Sequence, residues 1–363
     1  MPNQREIARA LGLTQSTVSM ALRDHPRISE ETRRRVREAA SKTGYRVSPF
    51  VTTLMARIRA GRAPQNLGCI AILIDSASKE EWLAQERNTY SAQYTGYQRR
   101  AALRGYRTEC FCLRGKDVTD EAIDRQLHAR GIVGVILAAP RHPGRFPDVR
   151  LHWENYACAT VSYTWVTPVV DRISSHHRHN MDRAFTELIK RGCRRIGFCL
   201  PGFAVGGVDA NWMAGYLVSR LRLPEKQHLP PFVGTVRNTP PEVFRAWFEQ
   251  WQPDGLITLI GEEAQWLEGM GLSPFVRGGG MDRRAGDRRN GGGKRKPGGT
   301  LLVCLNRPAN SPFPGIDENN TLVGEMACDL VVNQLTHNER GLPEHRREIL
   351  VEGTWVEPRR LPG

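Results

Sequence analysis

The N-terminal stretch places tight limits on how this chain can fold. Apolar positions recur at helical spacing over residues 4–11, and again in a second helix that begins at Gln15. Gly12 stands between them, where a left-handed residue can end one helix, and Thr14 is placed to cap the next. A third helix follows Ser29. Helix, glycine turn and helix at this spacing predict a helix-turn-helix unit.

The second helix has an apolar stripe of Val18, Ala21 and Leu22, and its opposite side is small, polar and nearly uncharged. That opposite side consists of Gln15, Ser16, Ser19, Met20 and Arg23. In a helix-turn-helix unit the second helix enters the major groove of DNA, and its first residues meet the base edges. The small polar side fits that role. The alternative is an ordinary helical hairpin whose polar side faces water.

The net charge of +14 is concentrated in two segments. Residues 1–63 contain 13 Lys and Arg against 5 Asp and Glu, and residues 277–299 contain 8 against 2. A basic patch over the helix-turn-helix predicts a polyanionic partner, because phosphate contacts supply most non-specific nucleic-acid affinity. Residues 277–299 are rich in glycine and poor in apolar side chains, so we expect a disordered surface insertion there, and the alternative is a second basic arm that holds DNA.

The stretches IARALGLTQSTVSMAL, PRISEETRRRV and TGYRVSP resemble the DNA-binding headpiece of LacI/GalR (lac-repressor-type) transcriptional regulators. The resemblance implies base contacts from Gln15, Ser16, Thr17 and Met20. It implies phosphate contacts from Asn3, Arg23, Arg27, Ser29 and Thr32. Met20 departs from the arginine that is common in the family. Methionine cannot form a two-bond contact with guanine, but it can meet a thymine methyl group.

Residues 48–65 are predicted to form a hinge helix and linker after a headpiece of residues 1–47. Ser48 and Pro49 suit a helix start, and a helix this short is marginal alone in water. In the resembled family this segment orders on DNA and pushes a leucine into the minor groove, where such wedges kink a base step. Leu54 is the matching residue, and its alternative role is packing against the hinge of a dimer partner.

From residue 66 to 363, apolar runs alternate with helical stretches, which predicts parallel, doubly wound sheets. A change of pattern near Pro168 suits two lobes. The candidate strands are LGCIAILID, YRTECFCL, VGVILAAP, ACATVSY, RRIGFCL, DGLITLI and TLLVCLN. This body resembles the periplasmic-binding-protein-like effector and dimerisation domain of the same family. The predicted fold is therefore an all-α headpiece joined to an α/β body of two doubly wound lobes.

The resemblance places a small-molecule effector between the lobes, outside the carboxyl ends of the strands. Several pocket positions differ from the family pattern. The usual Asp-Asn pair appears as His176-His177, an arginine as Trp212 and an aspartate as Asn306. These four residues are the effector-binding candidates. Tryptophan can stack on a sugar ring and asparagine can bond hydroxyls, so a sugar is one candidate effector.

Other classes of site and location are disfavoured by the sequence. No nucleophile elbow, Walker loop or paired-carboxylate motif is present, so we expect neither an enzyme nor a cofactor. The HHRH stretch has no nearby ligands to complete a zinc set, so we expect no metal. The eight cysteines lack Cys-x-x-Cys spacing, and no long apolar run or signal peptide occurs. We expect reduced thiols, no membrane partner and a cytoplasmic location.

The sequence thus predicts a sequence-specific DNA-binding regulator, with repression as the expected mode. It would bind a pseudo-palindromic operator as a homodimer and respond to a small ligand. Two alternatives remain open at this level. One is an architectural DNA-binding protein with a vestigial pocket, and the other is a solute-binding protein that uses only the two-lobed body.

Overall fold

The structure, a computed structural model, describes residues 4–22, 28–42, 67–84, 89–140, 148–202, 210–272, 274 and 299–358. The chain divides into two compact units, one with the N-terminal helices and one that begins at Gly68. Some sequence predictions fall outside the described residues. These concern Asn3, Arg23, Arg27, the hinge 48–65 with Leu54, and nearly all of the insertion 277–299.

The N-terminal unit contains three helices in the predicted order. They are α1 (Gln4–Leu11), α2 (Gln15–Ala21) and α3 (Glu30–Lys42). Their small core consists of Ile7, Ala8, Val18, Ala21, Val36 and Ala40. Gly12 has a φ of +66°, as its turn requires, and the hydroxyl of Thr14 accepts the backbone N–H of Thr17 at 3.1 Å. The predicted turn and helix cap are therefore confirmed.

The second unit is built on two six-stranded sheets, one in each lobe. Lobe 1 contains β1 (Gly68–Ile74), β2 (Tyr106–Cys112), β3 (Gly134–Leu137), β4 (Ala157–Val161), β5 (Asp171–Ser175) and β11 (Glu348–Val351). Lobe 2 contains β6 (Ile196–Leu200), β7 (Phe232–Val233), β8 (Gly255–Thr258), β9 (Leu301–Cys304), β10 (Gly315–Asp317) and β12 (Thr354–Val356).

The strand order in lobe 1 is β2-β1-β3-β4-β5-β11, with every pair parallel. The order in lobe 2 is β7-β6-β8-β9-β10-β12, and only the β10–β12 pair is antiparallel. Within the described residues the chain passes between the lobes three times, at residues 175–177, 317–320 and 351–354. The carboxyl ends of β4, β5 and β10 lie close to these crossovers, which brings residues far apart in sequence to one place.

Helices cover the faces of both sheets, as doubly wound folds require. The helices between the strands of lobe 1 are α4 (Lys79–Leu83), α5 (Thr89–Leu103) and α6 (Asp120–Ala129). Those of lobe 2 are α7 (His177–Lys190), α8 (Asn211–Ser219), α9 (Pro241–Trp251) and α10 (Ala264–Gly269). The long crossover helix α11 (Asn320–His337) packs on lobe 1, where Val331 and Leu335 lie against Gly134.

All seven candidate strands are present in the structure, but the predicted change of lobe near Pro168 is wrong. The chain stays in lobe 1 through β5 and leaves it only after Ser175. The strand β5 has no apolar run to mark it, because four of its five residues are polar and yet buried. Asp171 is buried there as the hydrogen-bonding partner of Arg347 and Gln334.

No helix in the described part of the chain combines the length and apolar character needed to cross a membrane.

Candidate nucleic-acid interface and inter-lobe site

The outward side of α2 is the candidate nucleic-acid interface. Val18 and Ala21 are fully buried in the helical core, which fixes the orientation of the helix about its axis. Gln15 and Ser16 are exposed, and Met20 is half-buried. We call Gln15, Ser16, Ser19 and Met20 the recognition face. Its chemistry is that of an amide, two hydroxyls and a thioether, without a formal charge.

Thr17 differs from the other predicted base-contacting residues. Its hydroxyl lies 2.8 Å from the hydroxyl of Thr14, and its backbone N–H donates to the same atom. The side chain is therefore held as part of the N-terminal cap of α2. Ser29 and Thr32 repeat the arrangement at the start of α3, with their hydroxyls 2.8 Å apart. These two predicted phosphate contacts lie at a helix N-terminus, where phosphate groups commonly bind.

Most basic residues in the described part of this unit lie on α3, and Arg9 lies on α1. Arg33 pairs with Glu30 at 3.0 Å, and Arg34 pairs with Glu38 at 3.4 Å. Both side chains of the Arg34–Glu38 pair are more than half exposed, and such surface pairs contribute little stability, so the Arg34 guanidinium can exchange its partner for a phosphate at small cost.

In the body, four side chains from both lobes meet at the crossovers. Tyr163 follows β4, His177 begins α7, Trp212 lies in α8 and Glu318 follows β10. The ring centroids of His177 and Trp212 are 4.6 Å apart, and those of His177 and Tyr163 are 6.0 Å apart. Nδ1 of His177 lies 3.1 Å from a carboxylate oxygen of Glu318. We call these four residues the ring cluster, and each is less than a tenth exposed.

The indole N–H of Trp212 has no hydrogen-bond partner among the described residues, although Trp212 is only 6% exposed. An unpaired buried donor typically costs about 1–3 kcal/mol, so such groups are rare without a reason. A hydrogen-bond acceptor on a ligand would remove that cost.

His176, the other member of the predicted histidine pair, takes no part in the ring cluster. Its Nδ1 accepts the backbone N–H of His179 at 3.5 Å and so caps α7. Burial lowers the pKa of His176, and the neighbouring His179 and Arg178 lower it further. No group of three or more His, Cys, Asp or Glu among the described residues is arranged to hold a metal ion.

Asn306 also lies apart from the ring cluster. Its Nδ2 donates to the hydroxyl of Thr89 at 3.0 Å, which links lobe 2 to the start of α5 in lobe 1. Both residues line a cavity of about 570 Å³ between α5, the loop after β9 and the start of α11. That volume is within the usual range for small-molecule sites. Of the four effector candidates, only Asn306 lines this cavity.

Polar side chains fasten the three crossovers to one another. Asn180 donates to the hydroxyl of Ser175 and accepts the backbone N–H of Gly353. Asn319 donates to the carbonyl oxygen of Glu352, which links the second crossover to the third. The His177–Glu318 pair links the first crossover to the second. A group that binds at the ring cluster would therefore act directly on the connections between the lobes.

Sequence reasoning missed Glu318 and Tyr163. Glu318 lies 141 residues from His177 in the chain, and the short strand before it has no recognisable pattern. Tyr163 ends the predicted strand ACATVSY, so its position at a carboxyl end was a usable signal.

A helix-turn-helix unit joined to a two-lobed, periplasmic-binding-protein-like body is the architecture of the lac-repressor class. Residues 4–48 match the model of the bacterial regulatory proteins of the lacI family. The HTH-type transcriptional regulator AglR of Rhizobium meliloti (strain 1021) is 52% identical over 44 residues, which is 12% of either chain. The N-terminal unit is therefore similar to the DNA-binding part of the lacI family of bacterial regulatory proteins.

Solved structures extend the similarity of fold to nearly the whole chain. A transcriptional regulator CelR–cellobiose complex has a TM-score of 0.52 at 15% identity over 98% of both chains. The lac repressor dimer bound to operator and the anti-inducer ONPF has a TM-score of 0.52 at 16% identity and the same coverage. A putative LacI-family regulator from Rhizobium etli has a TM-score of 0.56 at 14% identity, over 80% of this chain and 97% of that one.

Proposed function

We propose that this protein is a sequence-specific transcriptional regulator, acting in the cytoplasm as a repressor. It binds a pseudo-palindromic DNA operator as a homodimer, and a small ligand alters that binding. The observation that carries the proposal is the pair α1 and α2, joined through Gly12 at positive φ, with an uncharged recognition face opposite the buried side of α2. That arrangement suits the insertion of a helix into a major groove.

Exposed apolar side chains in lobe 2 support the homodimer. They lie on α8 and just after it, on the edge strand β7 and on α9, and the last two are in contact through Phe232 and Phe244. The residues are Leu217, Val218, Leu221, Val233 and Val243, between 38% and 69% exposed. We propose that these side chains contribute to the interface between two copies, because contiguous exposed apolar surface is typical of interaction sites. A two-fold dimer would bury the same surface on both copies and place two headpieces on two half-sites.

The body supports a ligand-dependent function. Trp212 offers an unsatisfied donor beside the crossovers, and the cavity at Asn306 and Thr89 lies between the lobes. Two solved proteins with this fold, the CelR–cellobiose complex and the lac repressor dimer with the anti-inducer ONPF, hold small ligands, which favours a sugar or a related compound here. No catalytic role is proposed. The alternative is an architectural DNA-binding protein whose pocket has lost its ligand, since four family pocket positions have changed.

Selection of bound sites from random duplexes tests the DNA-binding part of the proposal. We expect enrichment of two abutting, inverted half-sites and a complex of two protein chains per duplex. Affinity should fall by orders of magnitude between 50 and 200 mM salt, because phosphate contacts release counterions. Enrichment of no sequence, or tight salt-insensitive binding of one chain to a lone half-site, would contradict it.

Ligand dependence is tested on the enriched duplex with a panel of mono- and disaccharides that includes cellobiose. At least one sugar should change the mobility shift of the wild-type complex. Trp212→Phe keeps an aromatic ring but removes the indole N–H, so it should weaken the response to that sugar by about 5–20-fold. Its operator affinity without sugar should be unchanged. If no sugar changes the shift, the architectural alternative is favoured.

A further inference from the structure

We infer that α2 selects its half-site through uncharged contacts to A·T pairs, and that Met20 packs against the methyl group of a thymine. This inference rests on the proposed function, because it requires a DNA operator. It adds the chemistry of the bases that the recognition face contacts, and it names Met20 as a specificity-determining residue.

The position of Met20 on α2 is the first support. Successive residues of an α-helix are about 100° apart around the axis. With Val18 and Ala21 buried, Ser16, Ser19 and Met20 are the residues furthest from the core. Met20 is the one large apolar side chain among these three. It is half-buried and lies outside the group of buried core residues, so it is not needed to complete the packing of the three helices.

The absence of charge from α2 is the second support. The helix QSTVSMA contains no arginine, lysine, aspartate or glutamate. Two-bond contacts with guanine are made by arginine or lysine, whereas glutamine pairs in this way with adenine. Gln15 is exposed at the first position of the helix and is suited to an adenine contact. The recognition face thus offers an amide for adenine and a thioether for thymine.

The hydrogen bonds of Thr17 reduce the number of polar side chains on α2 that are available to contact a base. Its hydroxyl is directed to Thr14, 2.8 Å away, and Thr14 in turn accepts the backbone N–H of Thr17. This contact holds the Thr17 hydroxyl against the start of α2, which restricts its orientation toward a base. Fewer polar groups near Met20 are therefore available than the sequence suggests. Apolar contact by Met20 then has a larger part in base recognition.

The distribution of basic residues is consistent with base contacts from α2 and phosphate contacts from other parts of the headpiece. In the described part of the headpiece, Arg33 and Arg34 lie on α3 and form ion pairs with acidic residues of that helix. Positive charge outside α2 can hold phosphates, which fixes the register of the protein without reading sequence. Base selection is then left to the uncharged face of α2.

The experiment uses the full-length protein and the duplex enriched by selection. Each thymine of a half-site, with its symmetry mate, is replaced by uracil, which removes only the methyl group. At one position the affinity should fall about fourfold for each methyl lost, equivalent to about 0.8 kcal/mol, and by about tenfold or more when both half-sites are changed. Other positions should change less than twofold.

Variants at Met20 identify the side chain that contacts the methyl. Met20→Ala should bind the thymine and uracil duplexes equally, whereas Met20→Leu should retain most of the discrimination. Met20→Arg should shift the preference at that base pair toward guanine, because it introduces a two-bond donor. Circular dichroism of each variant checks that the helices remain folded, and non-specific duplex serves as the reference for affinity.

The outcomes separate this inference from the proposed function. If selection enriches no sequence, the proposed function fails. If a site is enriched but uracil is tolerated at every thymine, the inference fails while the function stands. The inference also fails if Met20→Ala keeps the wild-type ratio of thymine to uracil affinity, or lowers binding to all duplexes equally.

Discussion

Gly324→Ala is expected to lower the thermal midpoint of unfolding of the body by roughly 5–10 °C, corresponding to about 3 kcal/mol. The helices α11 and α5 lie in close contact at Gly324 and Gly96. A Cβ at Gly324 would lie 2.2 Å from the backbone oxygen of Gln93, and a Cβ at Gly96 would lie 2.1 Å from that of Thr321. A backbone oxygen cannot rotate away, so the two helices must separate. Melting of the full-length protein followed by circular dichroism measures the effect.

Gly269→Ala is the matched control for this substitution. Gly269 is also helical, but a Cβ there would have no neighbour within 4 Å. The same chemical change should then leave the midpoint unchanged or raise it slightly, since alanine favours a helix by about 1 kcal/mol over glycine. Equal melting curves for the two variants would show that the α5–α11 contact is not tight.

Asp171→Ala should also destabilise the body by about 3 kcal/mol. The carboxylate of Asp171 is fully buried, and it accepts the backbone N–H and the side-chain Nε of Arg347, both at 2.8 Å. It also accepts Nε2 of Gln334 in α11 at 3.1 Å. Its removal leaves buried donors without partners, a change that typically costs about 3–5 kcal/mol. The side chain of Arg347 is 55% exposed and can regain water, which favours the lower end of that range.

Asp148→Ala provides the comparison for Asp171→Ala. Asp148 also lies near an arginine, Arg150, but the atoms are 3.7 Å apart and both side chains are more than half exposed. A surface pair of this kind contributes at most about 1 kcal/mol. Urea unfolding of the full-length protein should therefore separate the two variants clearly. A loss of under about 1 kcal/mol for Asp171→Ala would mean that Asp171 does not hold β5, β11 and α11 together.

The inter-lobe site was only partly accessible from the sequence. His177 and Trp212 were both candidates, and the structure brings their rings together. His176 and Asn306 were candidates of equal standing, but His176 caps α7 and Asn306 bonds Thr89 beside the cavity. The side chains of His176 and His177 point in different directions because the helix α7 starts between them. The direction of each side chain therefore depended on the backbone, which residue type alone does not specify.

The sequence by itself determined the N-terminal unit and the seven apolar strands. Helix caps, the glycine turn and helical periodicity depend on residues a few positions apart. The structure of a short stretch such as Gly12 to Thr17 can therefore be predicted from that stretch alone. Buried parallel strands are similarly marked by continuous apolar runs such as CIAILI.

Tertiary structure alone decided β5, the late strands β10 to β12 and the ring cluster. The strand β5 buries Asp171 because Arg347, 176 residues later in the chain, supplies its hydrogen bonds. Glu318 reaches His177 only after the chain has crossed between the lobes. Polar residues can be buried when residues distant in sequence supply their hydrogen bonds, and a local sequence pattern does not identify those distant partners.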